Sequence, residues 1–316
     1  MVMHDDQLLL DEEAARRLIV EQFPRWRHEH IRRVRTDGTV NAIVRIGPHL
    51  TARFPLRSVD ATDMRAELTR EAAAMRELTA CCPFPTPVRI AEGAPDHGYP
   101  LPWSVQTWLP GQVATPGGLA NSRAFAHDLA DLVHALRSAD TGGRHFAGTG
   151  RGGNLQDSDD WMSICFRRSE GLLPLDRLRA LWAEFRLLPT AGPDVMTHGD
   201  LIPGNLLVEG ERLVGVVDGG GFAPADPSLD LVAVWHLLGA EGRAWFRREL
   251  ACTDLEWRRG AAWAFQQAMG LVWYYQRSNP GMSALGRSTL TRIVDDRELS
   301  ESFPAISGGF PHRSDA

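Results

Sequence analysis

The chain contains no lysine; all 34 residues counted as Lys or Arg are arginine. A P-loop needs a lysine to reach the β and γ phosphates of a nucleotide, and Schiff-base catalysis needs a lysine amine, so both classes are excluded. Cysteine is also scarce. The four present, Cys81, Cys82, Cys165 and Cys252, show no metal-ligand spacing, and Cys81 and Cys82, just before Pro83, read as a helix end rather than a redox couple. His28 and His30 lack a nearby thiol, and Glu29 between them points the other way in an extended chain, so they read as surface residues. No apolar run reaches the length of a membrane span. Met1 is followed by His4, Asp5 and Asp6 rather than by a basic and then an apolar segment, so a cytoplasmic chain with no membrane partner is expected.

With 316 residues, 43% hydrophobic and 23% charged, the composition is that of a globular protein able to bury a large core in one bilobal unit or two domains. The net charge of -6 argues against a nucleic-acid surface and for a small cationic substrate.

One segment carries chemistry. Thr197-His198-Gly199-Asp200-Leu201-Ile202-Pro203-Gly204-Asn205 is followed, thirteen residues after Asn205, by Asp218 in Val216-Val217-Asp218-Gly219-Gly220. An Asp, an Asn five residues on and a second Asp after an apolar run form the polar set that kinase-like folds use for phosphoryl transfer. One carboxylate, Asp200, orients the acceptor hydroxyl and takes its proton. Asn205 and Asp218 supply oxygens for Mg²⁺, a hard cation that draws few ligands from protein and the rest from phosphate and water. The intervening chain reads as a short hairpin, Leu206-Leu207-Val208 and Leu213 to Val217 around Glu209-Gly210-Glu211.

This segment resembles the HGDxxxxN catalytic loop of the aminoglycoside phosphotransferase family, relatives in fold of the protein kinases. The similarity extends through Gly38-Thr39-Val40-Asn41, Leu50 to Pro55, Trp103-Ser104-Val105 and Asp226 to Leu231. It implies an α+β, bilobal protein-kinase-like fold: a small N-terminal nucleotide lobe with an antiparallel sheet (1–107), a larger, mainly helical C-terminal lobe (108–303) and a disordered tail (304–316). It also implies Mg²⁺ with ATP or GTP as co-substrate. Arg53 is the best substitute where the family offers a lysine to the phosphates, and Glu71 fits the carboxylate that pairs with that cation; the lesser alternative for Arg53 is an exposed strand-end residue. Gly38, Thr39 and Asn41 fall at the hairpin that covers the phosphates. Gln106 and Trp108 fall at the purine linker. A second departure is Gly219, in place of the family's aromatic residue after the metal-binding Asp; Gly219-Gly220-Gly221 adds backbone freedom and removes a packed anchor.

The remaining pattern predicts helices over Asp11 to Phe23, Asp60 to Thr79 and Arg123 to Ala139. It predicts strands over 31–36, 40–46, 50–54 and 103–108, and a helix opened by Asp226-Pro227. Asp157, Asp159 and Asp160 form either the acidic first turn of a helix or the acidic mouth of a cationic-substrate site. Asp230, among Leu229, Leu231 and Val232, needs a partner if buried, and bracing the catalytic loop through His198 would supply one. Trp257, Trp263, Phe265, Trp273, Tyr274 and Tyr275 read as helix-packing core. The expected function is phosphoryl transfer from nucleotide to a hydroxyl of a small cationic molecule, an aminoglycoside or related antibiotic. A macrolide or metabolite kinase, or a nucleotide-binding protein without transfer activity, is the alternative.

Overall fold

The computed structural model describes residues 8–34 and 40–302. Gly38 and Thr39, assigned above to a phosphate-covering hairpin, and the tail from residue 304 lie outside the described residues. The chain divides into two compact units. One takes the residues up to Ala80 together with Pro85–Pro110 and Gly215–Gly221; the other takes Cys81–Phe84, Gly111–Val214 and the residues from Phe222 on. The segment bearing Asp218 therefore belongs to the first unit, although it follows the catalytic loop in sequence.

The first unit is organised by a five-stranded antiparallel sheet. Helix α1 (Glu12–Gln22) precedes it, started by Asp11, whose carboxylate accepts the Ala14 N–H at 2.6 Å. Strands β1 (Ile31–Val34), β2 (Asn41–Ile46) and β3 (Leu50–Pro55) follow, then helix α2 (Ala61–Cys81), β4 (Arg89–Gly93) and β5 (Trp103–Thr107), with sheet order β1-β2-β3-β5-β4. Strict alternation in β2 buries Ala42, Val44 and Ile46 against Leu18 and Ile19 of α1 in one core. Phe54 and Trp103 stack at the centre of this core with ring centroids 4.6 Å apart. Tyr99 packs edge-on against Phe54 and donates its hydroxyl to the Pro55 carbonyl at 2.6 Å.

The second unit is mainly helical. It contains β6 (Gln112–Val113), α3 (Pro116–Leu119), α4 (Arg123–Arg137), α5 (Asp159–Arg168), α6 (Leu175–Phe185), β7 (Val195–Thr197), β8 (Leu206–Glu209) and β9 (Arg212–Val216), whose last two residues fall in the first unit. There follow β10 (Ala223–Ala225), α7 (Val232–Leu237), α8 (Ala240–Glu249), α9 (Asp254–Tyr274), α10 (Pro280–Val294) and α11 (Arg297–Ser302). Helix α9 opens with a capping box between Thr253 and Glu256 and is buried on nearly all sides, the mark of a central helix. Its aromatic residues divide: Trp257, Trp263 and Phe265 are buried, whereas Tyr274 is 41% exposed, because the helix leaves the core in its last turn. The helix expected from Asp226-Pro227 begins late: Asp226 Oδ1 accepts the Ser228 N–H at 2.9 Å, but the chain passes through a 3₁₀ turn over Leu229–Leu231 before the six-residue α7. Among the described residues no helix is long and apolar enough to cross a membrane.

Candidate active site

The catalytic loop leaves β7, which pairs antiparallel with β10 through Thr197 and Ala223. Two backbone amides then turn toward one buried carboxylate: Asp230 Oδ2 accepts the His198 N–H at 2.8 Å and Oδ1 accepts the Gly199 N–H at 3.0 Å. Gly199 sits at φ +79°, a region that strains any residue with a Cβ, so glycine lets the chain deliver both amides to Asp230. Burial pushes the Asp230 carboxyl up from its ordinary pKa, opposed by the His198 side chain and the two amide donors. Asp230 thus holds the loop by its backbone; His198 contributes its amide.

Asp200 follows with its side chain 43% exposed. Its Oδ1 accepts from Arg151 Nη2 at 2.7 Å and from Gln267 Nε2 at 3.1 Å. The Asn205 amide donates to the Asp200 carbonyl at 2.8 Å and, at 3.3 Å, to Oδ2. Asn205 lies at the end of a 3₁₀ turn, Pro203–Asn205, closed by its N–H on the Ile202 carbonyl. With its nitrogen committed to Asp200, Asn205 presents its amide oxygen elsewhere, as a hard cation would require.

The first unit holds a second polar set. Asp218, two residues after β9, has φ +63°, a conformation that Asp tolerates better than most residues. Its Oδ1 accepts from Arg53 Nη2 at 2.7 Å. Arg53 comes from β3, where it is registered between Ile43 and Ser104. The pairing expected between Arg53 and Glu71 is replaced here: the Arg53 ion pair is with Asp218, and Glu71 feels Arg53 only as a nearby charge. The Glu71 carboxyl is raised by burial, with Arg53 opposing. Its stem lies against the glycine run, since a Cβ added at Gly220 would come within 2.9 Å of Glu71 Cγ. A Cβ at Gly219 would fall 2.1 Å from Leu78 Cδ2. Gly219 and Gly220 are therefore packed on α2, with Leu78 in the space a side chain at position 219 would take.

Gln106 is 9% exposed and, with Arg53, Glu71, Met75 and Ser104, lines a recess under α2. Trp108 spends its N–H on the His49 carbonyl at 2.7 Å, and the Arg45 guanidinium lies 4.5 Å from its ring centroid. That N–H is committed within the protein. Asn41 opens β2 opposite Pro55.

The three acidic residues of the glycine-rich stretch do not act as one group. Asp159 accepts from Arg186 Nε at 2.9 Å and Trp182 Nε1 at 3.0 Å, which ties α5 to α6 and lowers its pKa. Asp157 and Asp160 are exposed. Sequence reasoning missed both donors on Asp200. Arg151 gives no signal beyond its flanking glycines, and Gln267 could have been flagged as polar within an apolar helix.

A sequence model of the phosphotransferase enzyme family matches residues 8–263. Curated relatives include an aminoglycoside 3'-phosphotransferase of Escherichia coli, 38% identical over 60 residues, which is 19% of this chain and 22% of the relative. A second from the same organism is 43% identical over 56 residues, 18% of this chain and 21% of the relative. The chain thus aligns with about a fifth of the length of these relatives. Among solved structures, the GDP complex of wild-type aminoglycoside 2'-phosphotransferase-IIIa superposes with a TM-score of 0.66 at 18% identity, covering 93% of this chain and 100% of the other. A macrolide 2'-phosphotransferase from Brachybacterium faecium gives 0.57 at 17% identity, covering 87% and 97%. These likenesses establish a shared α+β fold, and the match over residues 8–263 places the chain in the phosphotransferase enzyme family.

Proposed function

We propose that this chain transfers the γ-phosphoryl group of ATP or GTP to a hydroxyl of a small molecule, with an aminoglycoside or related antibiotic as acceptor. The observation that carries the reading is Asp200: one carboxylate oxygen is held by two donors and the other has a single long contact, so a base is fixed in place with an oxygen to spare. Solved relatives of this fold hold kanamycin, gentamicin or streptomycin, and nucleotides including GDP and ATP. Asn205 and Asp218 fit Mg²⁺, since both offer oxygen donors and Asp218 is half-exposed. When bound, Mg²⁺ neutralises phosphate charge. Arg53, already drawn to Asp218, supplies permanent positive charge for the phosphates, and Glu71 sets where that charge can lie. Gln106, Trp108 and Asn41, together with Gly38 and Thr39, border the nucleotide in this reading, with Trp108 contributing its ring and carbonyl. His198 and Asp230 keep the loop in shape. The division of labour is a nucleotide-binding lobe to about residue 107 and a catalytic and acceptor lobe to about 303, in a cytoplasmic enzyme.

Two tests bear on these assignments. Replacing Arg53 by Ala weakens nucleotide affinity, because a charge that pairs with phosphate is lost, and Arg53→Lys keeps most activity because an ammonium can serve as a point charge. Nucleotide titration checks this; unaltered affinity in the alanine variant would remove Arg53 from the site. For the acceptor, a panel of aminoglycosides, macrolides and neutral sugars is incubated with protein, nucleotide and Mg²⁺ and read by product mass. Asp157 and Asp160 favour a polycation, so KM for an aminoglycoside rises with ionic strength and rises further when both are changed to Asn. Because Asp159 is committed to Arg186, the acidic contribution is smaller than three free carboxylates would give, and a macrolide is the second reading. Phosphorylation of a neutral sugar alone, with no salt dependence, would reject the antibiotic assignment.

A further inference from the structure

Helix α9 carries Arg259, Trp263 and Gln267 at intervals of four residues, so all three project from one face. Arg259 and Trp263 donate to Asp226, and Gln267 donates to Asp200. Behind Gln267 stands His236, fully buried, with Nε2 3.0 Å from Gln267 Oε1 and Nδ1 2.8 Å from the Thr289 hydroxyl. The Thr289 hydroxyl is also placed to donate to the Leu285 carbonyl at 2.9 Å, so its single proton has two competing acceptors, that carbonyl and His236 Nδ1 when bare.

We propose that Gln267 is a positioning residue for Asp200, holding Oδ1 so that Oδ2 is left for the acceptor hydroxyl, and that buried His236 sets which way the Gln267 amide faces. The proposal rests on the assignment of Asp200 as the base. A side-chain amide is a donor at one end and an acceptor at the other. If Gln267 donates to an ionised Asp200, its oxygen faces His236, and the imidazole must carry its proton on Nε2. Nδ1 is then bare and takes the Thr289 hydroxyl proton. In the opposite arrangement Thr289 donates to the Leu285 carbonyl, His236 carries its proton on Nδ1, and Gln267 must turn its nitrogen to His236 and its oxygen to Asp200. The first arrangement costs Thr289 its bond to the Leu285 carbonyl, whereas the second sets an oxygen against a carboxylate; the partner that carries a full charge is the costlier one to leave unpaired, so the charge on Asp200 selects the first arrangement. Charging His236 does not offer a third way, because burial pulls its pKa down to about 4. The ring is a neutral two-state element whose state reports on the carboxylate two hydrogen bonds away.

Nitrogen NMR on the full-length protein labelled at histidine reads the tautomer directly. His236 is expected to carry its proton on Nε2 in the wild type and to shift to Nδ1 in Asp200→Ala, where no carboxylate is left to hold the Gln267 nitrogen and Thr289 can keep its bond to the Leu285 carbonyl. A proton on Nδ1 in the wild type, or the same tautomer in both proteins, would overturn the proposal; should the variant fail to fold, the wild-type tautomer still decides. In kinetics with whichever panel acceptor is phosphorylated, Gln267→Ala lowers kcat by about tenfold to a hundredfold through misplacement of the base, with the nucleotide KM unchanged. Wild-type kcat in that variant would also overturn it. A protein that phosphorylates no acceptor rejects the functional reading while leaving the tautomer result to judge the hydrogen-bond chain on its own.

Discussion

Asp200→Ala lowers turnover by about 10² to 10⁴, the usual worth of general-base assistance, while nucleotide still binds. The asymmetry follows from where the side chain is held. Asp200 receives Arg151 and Gln267 on one oxygen and Asn205 on its carbonyl, all from the second unit. Arg53, Glu71 and Asp218, assigned to phosphates and metal, pair or pack within the first unit, and Asn205, the other residue assigned to metal, lies in the second. Removing the carboxylate leaves that first set intact. The loop itself stays formed, because its shape depends on Asp230 and the amides of His198 and Gly199. The check is kcat beside a nucleotide-binding isotherm; near wild-type kcat would take Asp200 out of the mechanism, and loss of nucleotide binding would mean that its role is not confined to the acceptor.

The second large effect is on stability. Asp226→Ala is expected to cost about 3–5 kcal/mol, because it strands a buried guanidinium without its counter-charge. Arg259 is 1% exposed and all its donors are engaged: Nε on Asp226 at 2.8 Å, Nη1 on the Leu188 and Pro189 carbonyls at 2.9 and 2.8 Å, and Nη2 on Asp226 and on the Gly153 carbonyl. Asp226 also accepts from Trp263 Nε1 at 2.7 Å and from the Ser228 N–H at 2.9 Å. With one partner gone, the charge remains and its solvent does not return. Replacing both, as in Asp226→Ala with Arg259→Met, is expected to recover part of the loss, since no unpaired ion is then buried. Denaturant unfolding of the two variants checks this. The pair also touches the segment that bears Arg151, since Arg259 Nη2 donates to the Gly153 carbonyl at 3.3 Å.

The candidate site was legible because the proposed chemistry constrains residue spacing: Asp200, Asn205 and Asp218 stand at offsets that a loop and hairpin can hold, and strands β2, β3 and β5 were readable as runs of strand-forming residues. What escaped was set by contacts between distant positions. Arg151 and Gln267 lie 49 and 67 residues from Asp200, and no local pattern marks either as its partner. The helix expected at Asp226-Pro227 starts later than its cap suggests: Asp226 Oδ1 accepts the Ser228 N–H, while Oδ2 goes to Arg259 and Trp263, and a 3₁₀ turn comes before α7. The effect of the glycine run could not be weighed from its own segment, because the neighbours of Gly219 and Gly220 come from α2. Leu78 and Glu71, supplied by α2, take up the room that glycine leaves. The acidic run was ambiguous in sequence, and Arg186, from the next helix, resolves Asp159 as a tie between helices.

The central claim is that a phosphoryl group moves from nucleotide to an acceptor hydroxyl under the control of Asp200. Incubating the purified protein with Mg²⁺, γ-labelled nucleotide and the antibiotic panel, and following the label by mass spectrometry, tests it most directly. The label is predicted to appear on a hydroxyl of one acceptor with the wild type and to fall by about 10² or more with Asp200→Ala. Label released only as inorganic phosphate by both proteins at equal rates, with none on any acceptor, would contradict the account.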